Sequence, residues 1–255
     1  MHTGVIMRSS EIGRSDRGPD FVYRIKTSLS LLGTGQVGAF LFKVRRHAWS
    51  DETGYALRRD PRLPFTPPPA AIPLTIRPFR SADARHFADS AGLWRKIIRT
   101  RINEVSRTAL IKADIPSAYV AVTADGDPCC ILWVMAPSAG GKTASYRKAH
   151  VLPLSDDEVL IEGGFVPERH RGKRIVAWAA ARLVEIVKHS GARWVVAHVY
   201  ASNIVSLRGL LAAGFHPYLL TKVTWRAFRA KVSDVPLCDE EVGRLEASWK
   251  QSPAK

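Results

Sequence analysis

Four cations crowd one short stretch of the chain, Val166-Pro167-Glu168-Arg169-His170-Arg171-Gly172-Lys173-Arg174. An apolar, β-type run precedes it and an alanine-rich helical run follows. A loop that opens a helix offers unpaired N–H groups and the positive end of the helix dipole. Together these suit a phosphate. Gly172 lets the backbone turn closely, and Arg169, Arg171, Lys173 and Arg174 add charge. A plainer reading of the same residues is a solvated basic connector. Ala139-Gly140-Gly141-Lys142-Thr143 resembles a second phosphate loop, but Ala136 stands where the nucleotide motif needs its first glycine. It is read as a flexible turn.

The elements that must position the basic loop follow from patterning. Leu74–Phe79 reads as a strand and Ser81 as the N-cap of a helix. A second, strongly basic helix is expected over 93–112. Ala118–Ala124 and Cys129–Met135 form a hairpin around Asp125-Gly126-Asp127. Glu158–Val166 is a strand, Arg174–Ser190 a helix closed by Gly191, and Trp194–Tyr200 a strand. Asn203–Ala213 is a helix closed by Gly214, and Val223–Val232 the last strand. Upstream, residues 1–20 read as a disordered tail and Phe21–Leu32 as a short helix. The apolar run Ala39–Val44 is a candidate strand that periodicity alone does not decide. Pro61, Pro64 and Pro67-Pro68-Pro69 mark a stiff linker. They place a boundary near residue 70, with 21–70 an accessory segment and linker, and 71–255 the main domain. The order βαα-ββ-β-α-β-α-β predicts a mixed α/β (α+β) domain, a central mixed sheet flanked by helices.

The run from Phe165 to Val176 resembles a strand–loop–helix of the GNAT acetyltransferase superfamily, Val-x-Pro-Glu-x-Arg-Gly-x-Gly-x-Gly. One extra residue precedes the second arginine. Asn203, Ser206, Gly214 and Phe215 fit the offsets of that family's next landmark, an Asn after a strand, then a small residue, then Gly-Phe. The resemblance covers about residues 74–232. It implies the GNAT acyltransferase fold with an N-terminal extension, acetyl-CoA or another acyl-CoA as co-substrate, and no metal. It also implies that Phe165, Val166, Arg171, Gly172, Lys173, Arg174, Ile175, Val176, Asn203 and Ser206 contact the cofactor. Three positions depart from the pattern. Arg174 and Val176 replace signature glycines; a β-branched valine is expected to crowd the cofactor, while Arg174 can pair with a phosphate. Leu210 stands where the family often has a tyrosine that protonates the leaving thiolate.

In the family two parallel strands splay and the pantetheine lies between them. The resemblance assigns these to Glu158–Val166 and Trp194–Tyr200, with backbone N–H groups near Phe165 and Val166 polarising the thioester. Strict alternation puts Val159, Ile161, Gly163 and Phe165 on the core face. Glu158, Leu160, Glu162, Gly164 and Val166 then face the cleft. Glu162 is the candidate general base, with Glu158 behind it; an ordinary carboxylate on a wet face is the plainer reading. On the second strand Trp194, Val196, His198 and Tyr200 share a face. His198 is a second candidate base, and Tyr200 a candidate for the missing acid. Asn203 bonds the pantetheine or simply caps its helix.

Composition sets the outer limits. At 255 residues and 46% hydrophobic, the chain can bury a sizeable core. No run of about 18 apolar residues suggests a transmembrane helix, and the N-terminus lacks a secretory apolar region. Cys129, Cys130 and Cys238 make neither a disulfide framework nor a zinc spacing. A cytoplasmic setting is expected. The net charge of +15 favours anionic partners without choosing among them, and leaves peripheral membrane contact open. The function expected is acyl-CoA-dependent N- or O-acyl transfer directly to a small-molecule or peptide acceptor. The alternatives are a catalytically silent CoA-binding module of the same fold and a basic nucleic-acid binder. The last is opposed by the lack of an RNA motif, zinc spacing or recognition helix. Oligomeric state is open.

Overall fold

The computed structural model describes residues 37–88, 117–136 and 154–251. The tail 1–20, the helices expected over 21–32 and 93–112, and the Gly-Gly-Lys turn at 139–143 lie outside the described residues. The described elements are numbered along the chain. Helix α1 (Val37–Ala48) leads directly into β1 (Trp49–Arg59), and β2 is Leu74–Pro78. A single 3-10 turn (Ser81–Asp83) opens the short α2 (Ala84–Ala88). Next come β3 (Ala118–Thr123), β4 (Pro128–Met135) and β5 (Glu158–Phe165). Helix α3 (Ile175–Val187), β6 (Trp194–Tyr200) and α4 (Ile204–Ala212) follow. The hairpin β7 (His216–Arg226) and β8 (Arg229–Pro236) and then α5 (Asp239–Gln251) complete the described chain.

All eight strands join one mixed sheet in the order β2-β3-β4-β5-β6-β1-β7-β8. Only β5 and β6 pair in parallel among these neighbours. Both faces are covered, as the expected class requires. On one face Val159, Ile161, Val195, Ala197 and Leu57 pack with Ile175, Leu183, Val184, Leu207 and Trp249 of α3, α4 and α5. On the other, Leu160, Val196, Trp133 and Ile131 pack with Phe87 of α2. Helix α1 lies on this second face, where the His47 ring meets Trp225 of β7 at 4.5 Å.

The sheet corrects the expected boundary near residue 70. Strand β1 precedes the proline cluster, yet it is an interior strand, antiparallel to both β6 and β7. Ala56 and Leu57 are fully buried there. The linker also packs. Phe65 lies against Gly214 and over the Arg59 guanidinium, whose Nη1 donates to the Ala213 carbonyl at 3.0 Å. Ala71 N–H bonds the Lys173 carbonyl at 3.0 Å. Proline-rich composition reported stiffness, not independence.

Four local readings change as well. The run at 39–44 is helical, and its last turn carries Arg45, Arg46 and His47, which suit the negative end of the helix dipole. Ser81 is the first residue of its turn rather than the cap. Arg80 occupies the cap, and the Asp83 carboxylate accepts its N–H at 2.8 Å while clamping Arg77. The single strand expected over 223–232 is two strands, reversed at Ala227 and Phe228 with φ of 47° and 66°. Neither residue advertises a left-handed turn. Helix α5 was not foreseen; three acids, Asp239, Glu240 and Glu241, occupy its first turn, and Glu241 accepts the Cys238 N–H at 2.9 Å.

Candidate functional site

The parallel ladder between β5 and β6 is short. It pairs Glu158 with Trp194, Val159 with Val195 and Leu160 with Val196, then stops. Both strands continue, β5 to Phe165 and β6 to Tyr200. Each remains bonded on its far side: β5 to β4 as far as Phe165, and β6 to β1 as far as Tyr200. The two therefore diverge beyond Leu160 and Val196, opening a V in the middle of the sheet. Backbone groups at 161–165 and 197–200 that a closed ladder would consume face this opening instead.

A bulge shapes one wall of the V. Trp133 pairs with Glu162, but Ile131 pairs with Phe165, so β5 carries one residue more than β4. Gly163 absorbs it at φ 70°. Alternation holds up to Glu162 and then shifts. Phe165 joins the Leu160 face, edge-on to the Phe87 ring at 6.5 Å, and Val166 joins the Val159 face. The expected faces of Phe165 and Val166 are thus exchanged. Glu162 precedes the bulge and keeps its face, shared with His198 and Tyr200. Glu158 sits at the closed end, where its Oε2 accepts the Ser155 N–H at 2.9 Å.

The basic loop leaves β5 at once. A 3-10 turn spans Glu168–His170, Gly172 has φ 77°, and Arg174 caps α3 in the left-handed region at φ 57° with no side-chain cap. The first N–H groups of α3 therefore open on the loop, flanked by exposed Arg171 and Arg174 and half-buried Lys173. Arg171 Nε lies 3.3 Å from the Val166 carbonyl. Arg169 is committed elsewhere. Asp127, in the β3–β4 turn, accepts from Arg169 at 3.0 Å and meets Nε2 of buried His170 at 2.9 Å. His86 Nδ1 lies 3.4 Å away on the same carboxylate. Burial alone would raise the Asp127 carboxyl; the hydrogen bonds from Arg169 and His170 outweigh it and hold the group below the usual range.

The remaining calls fall as follows. Ile175 is buried in the core. Val176 directs its side chain toward Gly209 of α4, where a Cβ would meet its Cγ1 at 3.4 Å. It therefore fills the helix–helix contact, and the crowding expected of it falls on α4. Asn203 caps α4, accepting the Ser206 N–H at 3.3 Å. Leu210 is a core residue and supplies no acid. Tyr200 is 44% exposed, and its hydroxyl accepts from Arg46 Nη2 of α1 at 2.6 Å. Glu52 of β1 in turn holds Arg46, its two carboxylate oxygens accepting from Nε and Nη2 along one edge of the guanidinium. Neither Arg46, Glu52 nor Asp127 was picked out in the sequence. Asp127 registered only as a turn residue, and Arg46 lies 154 positions from the tyrosine it touches.

The chain matches no protein-family profile and no curated protein sequence. It is similar in structure to GNAT-family acetyltransferases. One, a GNAT acetyltransferase from Colwellia psychrerythraea, is 10% identical with a TM-score of 0.45, over 75% of this chain and 61% of that one. A GCN5-related N-acetyltransferase from Sphaerobacter thermophilus is 16% identical with a TM-score of 0.41, over 73% and 56%. The aminoglycoside acetyltransferase AAC(6')-Ib, solved with coenzyme A and kanamycin, is 16% identical with a TM-score of 0.41, over 68% and 98%. The chain thus spans less than two thirds of the length of the first two.

Proposed function

We propose that the protein is an acyl-CoA-dependent N- or O-acyltransferase with acetyl-CoA as the acyl donor. One observation carries the reading: two parallel strands part in mid-sheet, and the first runs straight into a basic loop at a helix N-terminus. A thioester needs a slot that offers backbone donors to its carbonyl, and a pyrophosphate needs N–H groups and cations one loop away. The V between β5 and β6 supports the first. Arg171, Lys173, Arg174 and the start of α3 support the second, with Gly172 giving close approach and Phe165, Val166, Asn203 and Ser206 bordering the path.

In this reading the acceptor nitrogen or oxygen attacks the thioester carbon. Glu162, with His198 on the same sheet face across the V, takes the acceptor's proton, and the C–S bond breaks to release CoA as the thiol. The first test is thermal. A ligand at 100 times its Kd stabilises the native state by about 2.7 kcal/mol. Acetyl-CoA and CoA at millimolar concentration should raise Tm clearly. No shift with either would remove the cofactor reading. Thiol release against a panel of amines and alcohols then tests transfer itself.

A further inference from the structure

The β7–β8 hairpin turns on two residues that suit the turn poorly. A two-residue loop with positive φ at both positions favours Asn-Gly. Here Ala227 and Phe228 stand at 47° and 66°, where a Cβ crowds the following carbonyl. The main chain keeps them there. Their N–H groups donate to the Ala48 and His47 carbonyls of α1 at 2.9 and 2.8 Å. The Phe228 ring gains little burial in exchange; the residue is 47% exposed. The flanking pair adds a second cost. Arg226 and Arg229 lie directly opposite one another, and like charges so placed repel.

Trp49, the first residue of β1, is the cross-strand partner of Arg226 on the other side and is 69% exposed. The Arg226 guanidinium lies over its ring at 3.9 Å and donates to Asp51 at 3.0 Å. An outward indole is thus held in place. Arg229 and Lys231, both exposed, share one side of β8. Arg45, also exposed, lies in the last turn of α1, which the hairpin turn bonds. The carboxylates at this end of β1, Asp51 and Glu52, are each paired with an arginine. Two outward aromatic rings therefore sit within a fringe of cations.

We propose that this tip docks the protein on an anionic lipid bilayer. Phe228 and Trp49 enter the interface, and Arg45, Arg226, Arg229 and Lys231 meet the lipid phosphates. The headgroup region takes up aromatic rings with adjacent cations, and a net charge of +15 draws the chain to such a surface. A phosphate between Arg226 and Arg229 relieves their repulsion. Other occupants fit less well. A second copy of the chain sets cations against cations. A single-stranded nucleic acid stacks its bases on aromatic faces along a groove, whereas Arg226 already covers one face of Trp49 and a hairpin tip projects. The inference does not depend on the acyl-transfer reading.

Cosedimentation of the full chain with vesicles tests it. Vesicles of equimolar phosphatidylglycerol and phosphatidylcholine should bind the protein at least about tenfold more tightly than phosphatidylcholine alone. Arg229→Ser should weaken binding about fivefold, the worth of one cation near an anionic surface. Phe228→Gly removes the ring and the left-handed strain together. Vesicle affinity should then fall about tenfold or more, while Tm stays level or rises. Trp49 emission should shift to the blue on vesicles, read as the difference from Trp49→Phe. Unchanged vesicle affinity in Phe228→Gly would overturn the proposal. Self-association without vesicles that Phe228→Gly abolishes would give the tip to a second copy and overturn it too. So would a single-stranded oligonucleotide that displaces the vesicles and binds Phe228→Gly as well as the parent.

Discussion

Replacing Leu57 by alanine probes the claim that β1 belongs to the heart of the sheet. Leu57 is fully buried and packs in the core cluster with Val159, Val195 and Phe215. Removing its side chain leaves a cavity between β1 and the helices below, where neighbours on β6 and β7 are held by the ladder. Buried Leu→Ala changes cost about 2–5 kcal/mol. For a chain of this size that lowers Tm by about 5–20 °C. Differential scanning calorimetry with and without Leu57→Ala measures it. Truncation before residue 71 is the harsher version. It strips the partner from facing edges of β6 and β7 and removes Phe65 from Gly214 and Arg59 from the Ala213 carbonyl. The fragment should not fold cooperatively. A fragment that melts sharply, together with a Leu57→Ala shift under about 1 °C, would refute the placement of β1, since the cavity term alone exceeds that.

Other expectations concern the loop and the base. Arg171→Ala and Arg174→Ala should each weaken CoA binding by about 1.5–3 kcal/mol by calorimetric titration, as loss of a charge-assisted bond does. Arg174→Gly separates backbone from charge: relief of the left-handed φ should leave stability within about 1 kcal/mol of the parent or above it, while CoA affinity still falls. Asp127→Asn should weaken CoA binding through a loosened loop. Because the Asp127 carboxyl is held low in the fold, its contribution is present above the unfolded carboxylate pKa and fades as pH falls through the folded one; acid titration of the two proteins should therefore converge. Glu162→Gln should cut turnover by about 10²–10⁴-fold with CoA affinity unchanged, and a fully active variant alongside an inactive His198→Ala would move the base to β6.

What the chain disclosed in advance divides along a physical line. Local signals were readable. Asp125-Gly126 marked its turn, Asn203 its cap, and the branched run 194–200 its strand to the residue. Signals that depend on distant partners were not. An apolar run at 39–44 says nothing of whether Arg46 beyond it will find a carboxylate on the next strand and a phenol on another. A proline cluster stiffens the chain whether or not the segment ahead of it inserts into a sheet. The hairpin at Ala227-Phe228 lacks the glycine or asparagine that usually marks left-handed residues, and so β7 and β8 merged into one expected strand.

The wall of the V shows how one residue decides the outcome. Period-two reasoning puts Glu162 on the face it occupies because every step from Glu158 is regular. It then places Phe165 on the wrong face because Gly163 adds a residue that the polarity pattern does not register. Gly163-Gly164 was the available cue, since glycine inside a strand often marks a bulge. The shift matters to the site. Without it Phe165 would share the Val159 face with the helices; with it, the ring stands on the side of Phe87, where Glu162 also projects. The end of β5 that opens the basic loop is thus anchored by an aromatic contact on the same face as the candidate acid and base. A deletion of Gly163 removes the extra residue, so β5 should pair regularly with β4 while Phe165 stays opposite Ile131 on the Phe87 face. The backbone groups that the bulge turns toward the V are then lost, and CoA binding read by thermal shift should weaken even though the loop keeps its anchor.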